Sequence, residues 1–193
     1  MRGTQTDMKK YTIVAGVNGA GKTTLYDAEQ IQKSEYRVNA DEILVETGGD
    51  WRNASDVMNA GRTAVERLKH YIEDGVSFNQ ETTLCGNSIL NNIAKARDNG
   101  YLIEVHYIGL SSAELAKERV AKRVADGGHG VSEADIERRY EQSFKNLIKI
   151  IPICNLVALY DNTEGFRRFA IYKDGVLVRK SHKVPDWFEK VCI

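Results

Sequence analysis

Eight consecutive residues, Gly16-Val17-Asn18-Gly19-Ala20-Gly21-Lys22-Thr23, read G-x-x-x-x-G-K-[ST] without a gap. The run Tyr11-Thr12-Ile13-Val14-Ala15 before them is β-rich, and the segment from Lys22 to about Gln32 reads as a helix. Strand, loop and helix in that order are the context the pattern requires. Glycines let such a loop close around phosphate oxygens, so that its backbone N–H groups point at negative charge. A glycine-rich turn that merely precedes a lysine is the competing reading, and the flanking elements argue against it. The expected nucleotide-binding residues are therefore Gly16, Asn18, Gly19, Ala20, Gly21, Lys22, Thr23 and Thr24. Lys22 is expected to reach the β- and γ-phosphates and the Thr23 hydroxyl to ligate Mg²⁺, which makes ATP and Mg²⁺ the expected cofactors.

The rest of the chain alternates strand and helix patterns. Strands are expected at Tyr36–Ala40, Val76–Gln80, Tyr101–Ile108 and Ile153–Tyr160. A long helix is marked by Val57, Ala60, Ala64, Leu68 and Tyr71 at intervals of three or four and closed by Gly75. A second helix carries Ile89, Leu90 and Ile93 and stops at Asn99-Gly100. A third is capped by Ser111 or Ser112 and buries Ala116, Val120 and Val124. The glycine-rich break Asp126-Gly127-Gly128-His129-Gly130 precedes a fourth helix that starts near Ser132 and buries Ile136, Tyr140, Phe144, Leu147 and Ile151. Arg168–Tyr172 and Val176–Arg179, joined across Lys173-Asp174-Gly175, predict a terminal hairpin. Such alternation implies a three-layer α/β/α fold with a mainly parallel five-stranded sheet and a C-terminal β-hairpin, whose ligands bind beyond the C-terminal strand ends. A chain of 193 residues suits one domain, here residues 11–193 after a polar extension 1–10.

Lys plus Arg equals Asp plus Glu at 27 each, so no global field favours nucleic acid or an anionic membrane, and any anion chemistry must be local. No apolar leader and no membrane span are visible, which makes a cytoplasmic location the expectation. Cys85, Cys154 and Cys192 are odd in number and far apart, the pattern of free thiols rather than of a disulfide framework or zinc site.

Several other residues are candidates for chemistry. Asp41, at the end of the second strand, would face the phosphate-lined cleft and could accept a proton from an attacking hydroxyl; equally, it could cap the following helix. Glu81, Thr82 and Thr83 offer a carboxylate and two hydroxyls for a polyhydroxylated substrate, or plain capping. Arg119 and Arg123 share a helix face, and Arg138 and Arg139 follow the glycine-rich break, so residues 119–139 read as a closing lid whose arginines neutralise the transferred phosphoryl group. Of these Arg123 and then Arg138 are preferred as catalytic, against the alternative of a solvated face paired with neighbouring glutamates. His129 reads as a turn residue or an orienter of that lid. Asn162, in the loop ending the last core strand, could border the adenine base or simply make a turn.

In this order and spacing, Gly16–Thr24, Asn39-Ala40-Asp41, Glu81-Thr82-Thr83-Leu84, Gly127-Gly128-His129 and Arg138-Arg139-Tyr140 resemble the zeta-toxin family over roughly residues 11–163. The resemblance implies a P-loop kinase in which Lys22 and Thr23 serve Mg-ATP, Asp41 acts as general base, and Glu81 with its threonine neighbours holds the acceptor. Lid arginines would engage the phosphates. It further implies a hydroxyl acceptor such as UDP-N-acetylglucosamine and an antitoxin protein as partner, while the balanced charge and the missing apolar span lead to the expectation of no nucleic acid and no membrane as partners. The chain resembles a minimal member, with little beyond the kinase core and the hairpin. The alternative class is a P-loop ATPase switch or nucleotide-binding module without a small-molecule acceptor.

Overall fold

The computed structural model describes residues 8–28 and 31–189. Its scaffold is one seven-stranded sheet in the order β2-β3-β1-β4-β5-β6-β7. The five parallel strands are β1 (Lys10–Ala15), β2 (Arg37–Asn39), β3 (Phe78–Thr82), β4 (Leu102–Gly109) and β5 (Leu156–Asp161). The hairpin β6 (Arg167–Lys173) and β7 (Val176–Lys180) adds two antiparallel strands to the same sheet. Asp174 and Gly175, both at positive φ, form the two-residue turn that matches strand twist.

Helices cover both faces, α1 (Lys22–Asp27), α2 (Ala40–Glu46), α3 (Ala54–Asp74), α4 (Ser88–Asp98), α5 (Ala113–Ala125), α6 (Glu133–Ile150) and α7 (Asp186–Glu189). Alternation along β1 divides the core: Tyr11, Ile13 and Ala15 point to one cluster, and Val14 to the other. The first cluster packs Ala60, Ala64, Leu68 and Ile72 of α3, Ile89, Ile93 and Ala96 of α4, and Trp187 of α7. The second packs Leu25 and Tyr26 of α1 with Ala116 and Val120 of α5. Helix α6 belongs to both, beginning with Ile136 over the second and ending with Phe144, Leu147 and Ile150 over the first.

Boundaries moved where local signals were weak. The long helix buries Ile72 rather than Tyr71, and Val57 is exposed. Strand β3 starts two residues later than expected and includes Glu81 and Thr82, while Ile151–Ile153 is a 3-10 turn, so β5 begins at Leu156. Helix α1 ends at Asp27; Glu29 and Gln30 of its expected extension lie outside the described residues, as do residues 1–7 of the polar extension and Cys192. Helix α7 had no sequence signal. Its Trp187 is 1% exposed and lies on Gly109, where an added Cβ would come within 2.3 Å of the indole. The indole N–H donates to Asp161 Oδ1 at 3.0 Å, so the last parallel strand is pinned by a residue 26 positions away.

Candidate active site at the phosphate loop

The loop from Gly16 to Gly21 joins β1 to α1 at the C-terminal edge of the sheet. Gly16 adopts φ 146°, and a Cβ there would stand 2.3 Å from the Ile108 carbonyl oxygen; its own N–H donates to Thr82 O at 3.2 Å. Gly21, at φ 92°, leaves room for the Asn162 amide, which donates to the Ala20 carbonyl at 2.9 Å. Asn162 therefore braces the loop from behind, and it lines neither of the two cavities below. Ala20 is fully buried, and Gly19, Thr23 and Thr24 face the first cavity.

Lys22 is only 9% exposed and donates to the Val17 carbonyl at 3.3 Å. Burial pushes its ammonium below the usual lysine range, although Glu81 and Asp41 pull it back in part. The Thr23 hydroxyl donates to the Glu81 carboxylate, with distances of 3.2 and 3.4 Å to its two oxygens. Arg37 holds the other side of that carboxylate at 3.1 Å, reaches Glu42 at 2.8 Å, and stacks 4.0 Å above the Tyr26 ring. Hydroxyl and carboxylate side by side are hard oxygen donors that could hold Mg²⁺. No group of three or more His, Cys, Asp or Glu capable of holding a metal occurs among the described residues.

Asp41 lies in the first turn of α2, but the cap of that helix is Asn39, whose side-chain oxygen accepts from the Asp41 N–H at 3.0 Å. The Asp41 carboxylate is thus free of capping, and its Oδ2 meets His129 Nε2 at 2.8 Å. Burial would push the Asp41 carboxyl up, but the His129 bond together with the charges of Lys22 and Arg123 outweighs it and holds the group ionised below its ordinary value.

The arginines separate by position. Arg123 Nε donates to the His129 carbonyl at 2.8 Å, while its buried Nη2 has no partner. Arg139 Nη1 donates to Asn18 Oδ1 at 3.0 Å, which ties α6 to the phosphate loop, and Arg119 Nη2 donates to the Thr163 carbonyl at 3.1 Å. Arg138 is 61% exposed at its side chain and paired with Asp135 at 2.6 Å on its own helix. Arg139, passed over in favour of its neighbour at the level of sequence, is the residue that touches the loop. A one-residue step on a helix turns the side chain by about 100°, which spacing alone cannot assign to a side.

Two cavities open here. The first, about 690 Å³, is lined by the loop residues Gly19, Gly21, Lys22, Thr23 and Thr24 with Arg119 and Arg123. The second, about 890 Å³, is lined by the polar residues Asn18, Gln80, Thr82, Thr83, Ser88 and Asn92 and also by Trp51, Met58 and Gly61. Lys22, Asn39, Asp41, Glu81 and His129 belong to both. Thr82 also accepts from the Leu84 N–H at 3.1 Å, which steadies the positive φ of Leu84. Sequence reasoning brought Asp41, Lys22, Glu81 and Arg123 together and missed the Asp41–His129 pair, Arg37 and Trp51, none of which has a local signature.

Residues 12–146 match the family described as AAA domain, well over half the chain. The chain belongs to that family. Among curated proteins, this AAA-domain member is similar to an uncharacterized protein of Haemophilus influenzae, 31% identical over 131 residues that cover 68% of this chain and 92% of the relative. Its fold is similar to the AvrRxo1-ORF1:-ORF2 complex with ATP, with TM-score 0.67 and 15% identity, covering 95% of this chain. The present chain spans 63% of the length of that structure. It is also similar to the PezAT chromosomal toxin-antitoxin system of Streptococcus pneumoniae, with TM-score 0.60 and 13% identity over 82% of this chain and 71% of that one. These likenesses show the fold of this AAA-domain member, a three-layer α/β/α arrangement with mostly parallel strands and a C-terminal antiparallel hairpin.

Proposed function

We propose that the protein transfers the γ-phosphoryl group of Mg-ATP to a hydroxyl of a small metabolite. The observation that carries this reading is the position of Asp41 in the wall shared by the two cavities, one at the phosphate loop and the other lined by amides and hydroxyls together with apolar side chains such as Trp51 and Met58. A switch that only hydrolysed ATP would have no use for the second cavity.

In this reading the loop N–H groups and Lys22 hold the phosphates, and the depressed ammonium of Lys22 regains its full charge stabilisation when the anion arrives. Thr23 would hold Mg²⁺, whose chemistry there is to offset charge on the phosphate oxygens, and Glu81, which the resemblance assigned to the acceptor, would join it because its carboxylate meets the Thr23 hydroxyl. Arg123, with its unpartnered Nη2, faces the same oxygens from α5. Asp41, ionised, accepts a hydrogen bond from the acceptor hydroxyl, aligns it for in-line attack, and takes its proton as the new P–O bond forms and the bond to the ADP oxygen breaks. Thr82 and Thr83 orient the rest of the acceptor. Arg138, which lines the second cavity, would meet the acceptor rather than the transferred group. Residues 119–139 form the lid.

The zeta-toxin resemblance makes UDP-N-acetylglucosamine the first acceptor to try, and a cavity of about 890 Å³ is of the size that takes a metabolite. The same resemblance, with the fold likeness to PezAT, proposes an antitoxin protein as partner. Among the described residues no helix is long and apolar enough to cross a membrane, and the free thiols Cys85 and Cys154 suit the cytoplasm we propose.

The test is phosphoryl transfer from Mg-ATP to UDP-N-acetylglucosamine, read by mass spectrometry, with Asp41→Asn as control. The parent should form a phosphorylated sugar nucleotide, and the variant should bind ATP yet transfer on the order of 10²–10⁴-fold more slowly. Equal transfer by the variant removes Asp41 as base. ATP consumption that never depends on an added metabolite pool overturns the transferase reading in favour of a hydrolytic switch.

A further inference from the structure

His129 sits between two glycines in the α5–α6 connection, and each glycine permits a close approach. A Cβ on Gly128 would come within 2.7 Å of Arg123 Cγ and 3.0 Å of the Arg123 carbonyl oxygen. One on Gly130 would come within 2.6 Å of the Trp51 indole. The segment is therefore wedged between the stem of Arg123 and the indole, and His129 uses both of its ends. Its imidazole Nε2 lies 2.8 Å from Asp41 Oδ2, and its carbonyl accepts from Arg123 Nε at 2.8 Å. Asp41 and His129 are 88 residues apart in sequence, so this contact is an arrangement of the tertiary fold rather than a turn.

Arg123 completes the chain of contacts. Its Nε is taken by the His129 carbonyl, its Nη2 is buried with no partner, and the residue lines the cavity at the phosphate loop. A buried guanidinium nitrogen without an acceptor is costly, and a turn of the side chain toward an anion in that cavity would relieve it. The ordinary reading of the Asp41–His129 contact is a half-exposed ion pair worth little. Such a pair would be independent of what happens at Arg123, whereas here one residue holds both.

We infer that His129 is a positioning residue that joins the acceptor-side carboxylate to the phosphate-side arginine, so that Arg123 is set for the donor's phosphates only while Asp41 holds the imidazole. The inference rests on the nucleotide site proposed above. One oxygen of Asp41 is committed to the lid and the other remains for the acceptor. Anything that draws Asp41 away from His129 then loosens Arg123, and the two cavities are coupled.

The test uses Mg-ATPγS binding, measured by isothermal titration, and therefore does not depend on knowing the acceptor. His129→Ala should weaken binding about fivefold in the parent, yet have no effect in the Asp41→Ala or Arg123→Ala backgrounds, because the linkage is already broken there. His129→Gln, which keeps an N–H donor near the Nε2 position, should restore affinity to within about twofold. Melting curves confirm that each variant is folded. Equal weakening in all three backgrounds, or none in the parent, overturns the coupling while leaving the nucleotide site standing. Absence of ATPγS binding by the parent overturns the nucleotide site and this inference with it.

Discussion

Replacing Lys22 by Met should stabilise the nucleotide-free protein and abolish its stabilisation by ATP. Methionine keeps the length and nearly the volume of the side chain while removing an ammonium that is 9% exposed and has one weak bond, 3.3 Å to Val17 O. Burial is the largest influence on that ammonium and opposes its charge. Losing the group also costs something, since Glu81 and Asp41 lose a favourable neighbour, but Arg37 and His129 still serve those carboxylates. The net gain is about 1–2 kcal/mol, the scale of an incompletely satisfied buried polar group. For a domain of this size that is a melting temperature higher by about 2–8 °C. With Mg-ATP at about a hundred times Kd the parent gains about 2.7 kcal/mol by mass action and the variant nothing, so the order reverses. Differential scanning fluorimetry with and without nucleotide measures both. A variant that melts below the parent without ATP would refute the claim that Lys22 is held at a cost for its ligand. A variant that is still stabilised by Mg-ATP would refute its role in holding the phosphates.

Trp187→Ala should cost about 3–5 kcal/mol in urea unfolding, because it empties a site packed by Tyr107, Phe144, Phe169 and Phe188 and removes the indole donor to Asp161; a loss under about 1 kcal/mol would mean that α7 is not part of the cooperative core. The hydrogen bond from His106 holds Glu104 down at about 2, aided by Lys10. With a folded value below the unfolded one of about 4.3, Glu104 stabilises the protein above that value, and the contribution is lost as pH falls from there through about 2. Urea melts of Glu104→Gln against the parent should therefore differ most near neutrality and converge toward pH 2, and a gap that stays constant would refute the linkage.

What could be read directly from the chain was local. Gly75 and Asn99 end their helices as expected, each within hydrogen-bonding reach of the turn it closes, and Ser132 caps α6 by accepting from Asp135 N. Between the two serines offered for α5, the structure uses Ser112. Caps involve residues three or four apart, so their chemistry is written in adjacent letters. Asp41 was ambiguous at that level because an aspartate there could serve as base or as cap, and the structure gives the capping of α2 to Asn39, which frees the aspartate.

The sequence by itself determined the phosphate loop, the alternation of strand and helix that makes a three-layer sheet, and the glycine-rich break in the α5–α6 pair, since each follows from short-range sterics and periodicity. Tertiary structure alone decided which side chains meet. Glu81 comes to Thr23 from 58 residues away, and Arg139 rather than Arg138 reaches Asn18 from 121. A helix period names a face but not the element that face will meet, and that depends on how α6 crosses from one core cluster to the other. The position of Asp41 between two cavities, and its contact with His129, exist only once α2 and the α5–α6 connection have closed over the same edge of the sheet.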